Sequence, residues 1–82
     1  MLIGNGMAHV IMYTTPTCGY CRIAKQFFKE KNIEFTEKDV TTDPAAMEEF
    51  RALNEGGVPV FMIDGQKVVG FNKEQISNLL GL

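Results

Sequence analysis

Two cysteines separated by two residues are the groups in this sequence with the clearest chemical potential. Cys18 and Cys21 are the only thiols among the 82 residues. A disulfide between them would close a loop too short to tie distant segments together. A small secreted domain that depends on disulfides has several at longer separations, so this spacing indicates redox or metal chemistry in a reducing compartment, the cytoplasm.

A zinc site is the main alternative for two cysteines at this spacing. Structural zinc takes four ligands, and His9 is the only other strong candidate in the chain. Cys18, Cys21 and His9 leave the tetrahedron incomplete unless carboxylates or a partner chain contribute. We therefore favour redox chemistry without a bound metal, and we expect His9 to be an ordinary residue at a strand edge.

Composition argues against several other functions. The chain is 45% hydrophobic and 22% charged, which is typical of a globular domain, and its length suffices for one modest core. A net charge of −2 provides no general attraction to nucleic acid, and no segment approaches the roughly 20 apolar residues of a membrane span. We expect residues 1–8 to be a leader outside the fold, disordered or left over from cloning, and residues 9–82 to form one monomeric domain.

The elements that would position the cysteines alternate between strands and helices. Short apolar runs predict four strands, at 10–13, 33–40, 58–63 and 66–69. Helical spacing predicts three helices: one from 17 or 18 to about 32, one from the N-cap Asp43 to a stop at Gly56-Gly57, and one after the N-cap Asn72. With a hairpin turn at Asp64-Gly65, the order βαβαββα predicts an α/β fold, a four-stranded mixed sheet with helices on both faces.

Cys18 lies where the first strand gives way to a helix. The free N–H groups and the positive dipole end of a helix N-terminus stabilise a thiolate, so Cys18 should titrate below the roughly 8.5 of a free cysteine. Arg22 and Lys25 add positive charge nearby. Cys21, one turn further along, is placed to resolve a mixed disulfide formed on Cys18.

Val58-Pro59 and Gly70-Phe71-Asn72 are two further candidate sites. If the Val58–Pro59 peptide bond is cis, the backbone N–H and C=O of Val58 are free to pair with an extended peptide. If it is trans, Pro59 simply opens the strand. The N–H groups at Gly70-Phe71-Asn72 could accept a substrate carboxylate, and an ordinary capped turn explains the same residues.

Taken in order, these segments resemble a glutaredoxin-like protein of the thioredoxin fold. The resemblance rests on Cys-Gly-Tyr-Cys after a strand, Val-Pro further along, then Ile-Asp-Gly, and Gly-Phe-Asn before a final helix, and it extends from His9 to Leu82. It implies an oxidoreductase of electron transport and cell redox homeostasis that reduces protein disulfides or glutathione mixed disulfides. Cys18 would be the nucleophile and Cys21 the resolving thiol.

The same resemblance implies how glutathione, the cosubstrate, would bind. Val58, before a cis Pro59, would pair with the cysteinyl part of glutathione, and Tyr20 would form one wall of that groove. Asn72 would hydrogen-bond the γ-glutamyl amine. Because Tyr20 and Val58-Pro59 are in place, we favour glutathione as the electron donor.

Several positions differ from the common glutaredoxin pattern and leave two alternatives open. Thr15 and Gly57 stand where many members have lysine and threonine, and Asn72 brings no charge where glutathione binders often have aspartate. One alternative is therefore a redoxin supplied by thioredoxin reductase, which donates electrons to an enzyme such as ribonucleotide reductase. Some members that have glycine at the position of Gly19 hold a [2Fe-2S] cluster between two subunits. The second alternative is therefore a dimer in which Cys18 is a metal ligand.

Overall fold

The computed structural model describes residues 9–82 as four strands and three helices in the order βαβαββα. The strands are β1 (Val10–Thr14), β2 (Thr36–Asp39), β3 (Val60–Ile63) and β4 (Gln66–Val69), and the helices are α1 (Gly19–Glu30), α2 (Pro44–Ala52) and α3 (Lys73–Leu80). This order confirms the prediction from the sequence. The predicted leader, residues 1–8, lies outside the described residues.

The strands form one mixed sheet in the order β2-β1-β3-β4. β1 pairs with β2 in parallel, whereas β3 runs antiparallel to both β1 and β4. Tyr13 faces Val60 across the β1–β3 pair, and Val60 faces Val69 across the β3–β4 pair. The end of β1, the start of β3 and the end of β4 therefore meet at one end of the sheet.

Helices cover both faces of the sheet, as the sequence predicted. On one face, α1 and α3 pack against the sheet through a core cluster that includes Met12, Phe28 and Ile76, all 0% exposed. On the other face, α2 covers a smaller cluster, whose buried residues are Tyr13, Val40, Ala46 and Val60. Because side chains alternate along β1, neighbouring residues of one strand serve both clusters.

The second helix ends earlier than predicted. Asp43 caps its start as expected, but the helix ends at Ala52, and Asn54 takes a φ of 60° just beyond. The prediction that Gly56-Gly57 stops this helix is therefore wrong. Asparagine tolerates the left-handed conformation because its short side chain can hydrogen-bond locally, and the two glycines belong to the loop before β3.

Two strands begin later than predicted. β2 starts at Thr36 rather than near residue 33, because Ile33 still belongs to the turn after α1, where its N–H donates to Phe28 O at 2.8 Å. β3 starts one residue after Pro59, which has no N–H to donate to a neighbouring strand. Both differences shorten strands without changing the topology.

The β3–β4 hairpin turns at Asp64-Gly65, as predicted. Both residues have positive φ, 50° and 85°, which is the requirement of a tight two-residue hairpin turn. Asp64 also holds the residue before β1, since His9 N–H donates to its Oδ1 at 2.8 Å. None of the helices in residues 9–82 is long and apolar enough to cross a membrane.

The hydroxyl of Tyr13 links the sheet to α2. The Tyr13 O–H donates to Glu49 Oε1 at 2.9 Å, and Lys38 Nζ donates to the same oxygen at 2.7 Å. Burial and the adjacent carboxylate raise the pKa of Tyr13 to about 12. Hydrogen bonds from Lys38 and Tyr13 hold the pKa of Glu49 below its ordinary value. One carboxylate therefore joins β1, β2 and α2.

Tyr13→Phe should lower the free energy of unfolding by about 1 kcal/mol near pH 7, because one hydrogen bond is lost while the ring stays buried. The difference from the wild type should shrink above pH 10. The pKa of Tyr13 is about 10 in the unfolded chain and about 12 in the folded chain, so the contribution of its hydroxyl to the free energy of unfolding falls as the pH rises through this window. Urea unfolding of both proteins near pH 7 and above pH 10 measures this change. A difference in unfolding free energy that does not depend on pH would contradict this account.

Candidate functional site

Three loops meet at the end of the sheet where β1 ends. Residues 15–18 lead from β1 into α1, residues 53–59 lead from α2 into β3, and residues 70–72 lead from β4 into α3. The site residues predicted from the sequence lie on these loops or on the first turn of α1. The fold therefore brings together segments that are far apart in the sequence.

The two cysteines occupy the N-terminus of α1 and form a disulfide with each other. Cys18 is the N-cap, and the backbone N–H of Cys21 donates to its Sγ at 3.0 Å. The first turn of α1 contains no acidic side chain. In the reduced state, the same N–H and the positive end of the helix dipole would stabilise negative charge on Cys18.

The two sulfur-bearing residues differ in exposure. Cys21 is 1% exposed, on the buried face of α1. Cys18 is half-buried, and the residues beside it, Gly19 and Tyr20, are exposed. An incoming disulfide can therefore approach Cys18 from solvent, whereas Cys21 is accessible mainly to the sulfur of Cys18.

Polar contacts fix the end of β1, where the cysteine loop, residues 15–18, begins. The buried Thr14 donates through Oγ1 to Glu37 Oε2 at 2.9 Å, and Lys25 Nζ donates to the same oxygen at 3.0 Å. These bonds join β1, β2 and α1. Because Lys25 pairs with Glu37, its charge near the cysteines is offset, which the sequence did not predict.

The Val58–Pro59 peptide bond is cis, one of the two alternatives that the sequence left open. Pro59 is buried, and its carbonyl accepts a hydrogen bond from Gly70 N–H at 2.9 Å. The half-buried Val58 packs against the smaller core cluster. No described residue hydrogen-bonds to the N–H or C=O of Val58, so both groups can pair with an extended chain.

The Gly70-Phe71-Asn72 turn combines packing and capping. Gly70 has a φ of 77°, which favours glycine. The Phe71 ring packs edge-on against Phe27, with 5.7 Å between ring centroids. Asn72 Oδ1 accepts from Gln75 N–H at 3.1 Å and caps α3 as predicted. The capped turn is confirmed. Two of its three N–H groups are already used, because Gly70 N–H donates to Pro59 O and Asn72 N–H donates to Gly70 O at 3.0 Å. Within this turn, carboxylate binding stays a prediction for the N–H of Phe71 alone.

A groove of about 650 Å³ extends from Gly19, the first residue of α1, along this helix to the start of α3. The side chains that line it are Tyr20, Arg22, Ile23, Gln26, Phe27, Glu30, Phe71 and Lys73. Val58 and Pro59, beside which the resemblance placed Tyr20, do not line this groove, so the role of Tyr20 in binding glutathione stays a prediction. Ile23 was not predicted from the sequence as a lining residue. The available signal was the apolar spacing of Tyr20, Ile23 and Phe27, which places all three on one side of a helix.

Positive charge at this groove comes from Arg22 and Lys73. Lys73 Nζ lies 5.5 Å from the centroid of the Phe27 ring, a distance at which a cation is attracted to the ring face. Arg22 has no carboxylate partner within residues 9–82. Glu30 brings one carboxylate to the same groove, so two cations stand against one anion, and an anionic ligand would be attracted near Arg22 and Lys73.

The described residues of one chain do not bring together the ligands that either metal-bound alternative would need. Between residues 9 and 82, no three His, Cys, Asp or Glu side chains are grouped so that they could bind a metal ion. Cys18, Cys21 and His9 therefore do not form the zinc site considered from the sequence. A bridging [2Fe-2S] cluster would need Cys18 from two chains, and it stays a prediction.

Comparison with known sequences identifies related proteins. A sequence model of glutaredoxin matches residues 10–68. An uncharacterized glutaredoxin-like 8.6 kDa protein in the rubredoxin operon of Clostridium pasteurianum is 46% identical over 70 residues, which are 84% of this chain and 93% of that protein.

Solved structures share the architecture. A crystal structure of a mutant thioredoxin-like protein has a TM-score of 0.82 and 34% identity, and the match covers 88% of this chain and 94% of that one. NrdH-redoxin from Escherichia coli is described as a glutaredoxin-like protein with a thioredoxin-like activity profile. Its TM-score is 0.78 at 25% identity, and the match covers 87% of this chain and 93% of that one. Both confirm the four-stranded mixed sheet with three helices.

In the reduced protein, Cys18 should react with iodoacetamide at least about tenfold faster than Cys21 near neutral pH, because it combines exposure with the helix N-terminus. Peptide mass spectrometry gives both rates from one sample. Cys18→Ser and Cys21→Ser are matched controls, since each retains one thiol. Equal rates would refute the activation of Cys18 by its position.

Proposed function

Because the chain belongs to the glutaredoxin family, we propose that it is a glutathione-dependent oxidoreductase that reduces protein disulfides or glutathione mixed disulfides. One observation carries the proposal: Cys18 caps the N-terminus of α1 and is bonded to the buried Cys21. Such a pair exists as a dithiol or a disulfide, and two electrons separate these states.

Reduction of a substrate begins from the dithiol. The Cys18 thiolate attacks one sulfur of the substrate disulfide, forms a mixed disulfide and releases the other sulfur as a thiolate, which takes up a proton. The Cys21 thiol then loses its proton and attacks the sulfur of Cys18, which releases the second substrate thiolate. Two electrons reach the substrate, and the Cys18–Cys21 disulfide remains.

Two glutathione molecules restore the dithiol. The first glutathione thiolate attacks Cys18 Sγ, which releases Cys21 and leaves glutathione bonded to Cys18. The second attacks the glutathione sulfur, which yields oxidised glutathione and the Cys18 thiolate. Stabilisation of this thiolate by the helix N-terminus also makes Cys18 the better leaving group in the last step.

Substrate recognition is assigned to the backbone of Val58 and the residues around it. Its N–H and C=O pair with the cysteinyl part of glutathione in the manner of an added strand. The hydrogen bond between Gly70 and Pro59 supports this assignment, because it holds the turn that carries Asn72 next to the start of β3. Asn72 then binds the γ-glutamyl amine, and Tyr20 borders the cysteinyl position.

Thioredoxin reductase is the second candidate for the electron donor. Thr15 and Asn72 lack the charges that would attract a carboxylate and an amine of glutathione. NrdH-redoxin, which shares the fold, is described as having a thioredoxin-like activity profile. These observations favour, as the alternative, a redoxin that carries electrons from thioredoxin reductase to an enzyme such as ribonucleotide reductase.

The cellular setting follows from the chemistry. Continuous reduction of disulfides needs a pool of reductant, so the cytoplasm is the proposed location. Both sulfurs of the reaction lie in one chain, which supports action as a monomer. Its partners would be glutathione and proteins that carry a disulfide or a glutathionylated cysteine.

Turnover of a glutathionylated peptide with two electron sources tests the proposed function. We expect reduction with glutathione and glutathione reductase, and a loss of at least about 100-fold in Cys18→Ser, which lacks the nucleophile. Cys21→Ser is the control, because attack on a mixed disulfide needs only Cys18. Turnover with thioredoxin reductase alone would assign the other donor, and unchanged activity in Cys18→Ser would overturn the mechanism.

Asn72→Asp should lower KM for the glutathionylated peptide by about two- to fivefold, the effect of one exposed ion pair with the γ-glutamyl amine. Aspartate caps a helix as well as asparagine does, so α3 should be undisturbed. Asn72→Ser is the matched control because it keeps a capping oxygen without the charge. A KM that does not change in Asn72→Asp would place the γ-glutamyl group elsewhere.

A further inference from the structure

Lys67 on β4 is joined to the loop that carries Val58. Lys67 Nζ donates to Glu55 Oε2 at 2.6 Å and to Leu53 O at 3.3 Å. Leu53 is the C-cap of α2, so the ammonium also faces the negative end of that helix. One side chain therefore connects the edge strand to the end of a helix and to the loop that follows it.

The rest of this loop has few other restraints. Gly56 and Gly57 are exposed, and beyond their chain neighbours no heavy atom lies within 4 Å of the position that a Cβ would occupy. Among the described residues, the bond between Glu55 and Lys67 is the only hydrogen bond made by residues 55–58. Glu55 is therefore the last hydrogen-bonded residue before Val58.

β4 holds the chain on the other side of Val58 as well. The N–H of Gly70, directly after β4, donates to the carbonyl of Pro59. Lys67 and Gly70 thus attach the chain to one strand before and after Val58. The backbone N–H and C=O of Val58 lie between these two attachments.

We propose that Lys67 is a positioning residue for disulfide substrates, which acts by holding residues 53–58 so that the Val58 backbone is ready to pair. This inference rests on the proposed function, in which Val58 binds the cysteinyl part of the substrate. Without the contact, the loop must be ordered at each binding event, which weakens binding. The hydrogen bonds and the ion pair of Lys67 are with Leu53 and Glu55 and not with the cysteines, so the chemical steps should be little affected.

Lys67→Met removes the ammonium while keeping an unbranched side chain of similar length. We expect KM for a glutathionylated peptide to rise about three- to tenfold, with kcat within about twofold of the wild type. Lys67→Arg, which retains the charge and the donors, should restore most of the loss. Glu55→Gln should raise KM, and adding it to Lys67→Met should have little further effect because both act through one contact.

Arg51→Met is the matched control for these variants. Arg51 pairs with Glu48 at 3.7 Å on the exposed side of α2 and has no ion pair with the loop. An unchanged KM in Lys67→Met, or an equal rise in Arg51→Met, would overturn the proposal. A lower melting temperature with an unchanged KM would also overturn it, because Lys67 would then only stabilise the fold.

A measurement of backbone motion separates this inference from the proposed function. In Lys67→Met, the ¹⁵N order parameters of Gly56, Gly57 and Val58 should fall from the wild-type values towards the 0.6 or so of flexible backbone, while that of Gly65 stays unchanged. A wild type that reduces no disulfide would overturn the proposed function but not this effect. Unchanged order parameters would overturn the role of Lys67 even in an active protein.

Discussion

The antiparallel pairing of β3 with β1 and β4 is the constraint on which the site depends. Because Tyr13, Val60 and Val69 stand opposite one another, the cysteine loop, Pro59 and the turn before α3 leave the sheet at the same end. A shift of one residue would turn Val60 away from the α2 face and expose Phe61 to it. Both side chains are fully buried, on opposite faces. Core packing therefore determines which segments surround the reactive sulfur.

The N-terminus of α1 gives the two sulfurs of one disulfide different exposure to solvent. Cys21 lies on the buried face together with Ala24 and Phe28, whereas Cys18 caps the helix beside exposed residues. A spacing of three residues puts both side chains on adjacent positions of the same helical turn. The helix therefore keeps the sulfurs close when the disulfide opens, and the core beneath Cys21 need not change between the oxidised and reduced states.

Most of the fold could be predicted because it depends on short-range signals. The N-cap Asp43 and the hairpin turn at 64–65 are each defined by a few residues, and both are confirmed. The end of α2 could not be predicted in this way, because asparagine and glycine both tolerate positive φ. Only the packed chain shows that Asn54 adopts a positive φ. Lys67 and Glu55 are 12 residues apart and carry no local pattern. They meet because the topology lays β4 beside the loop, and a local signal contains no such information.

Ion pairs decide which charges remain available at the site. Residues 34–55 contain seven acidic and two basic side chains, a balance of −5. However, Glu37, Glu49 and Glu55 each bind a lysine from another element. Within residues 9–82, the basic side chains without an ion pair are Arg22, Lys29, Lys31 and Lys73. All four lie on α1, directly after it or at the start of α3. Of these four, Arg22 and Lys73 line the groove, whereas Lys29 and Lys31 lie at the opposite end of α1 from the cysteines. The pairing of Lys25, Lys38 and Lys67 therefore leaves Arg22 and Lys73 as the cations that attract anionic ligands to the groove, most strongly at low ionic strength.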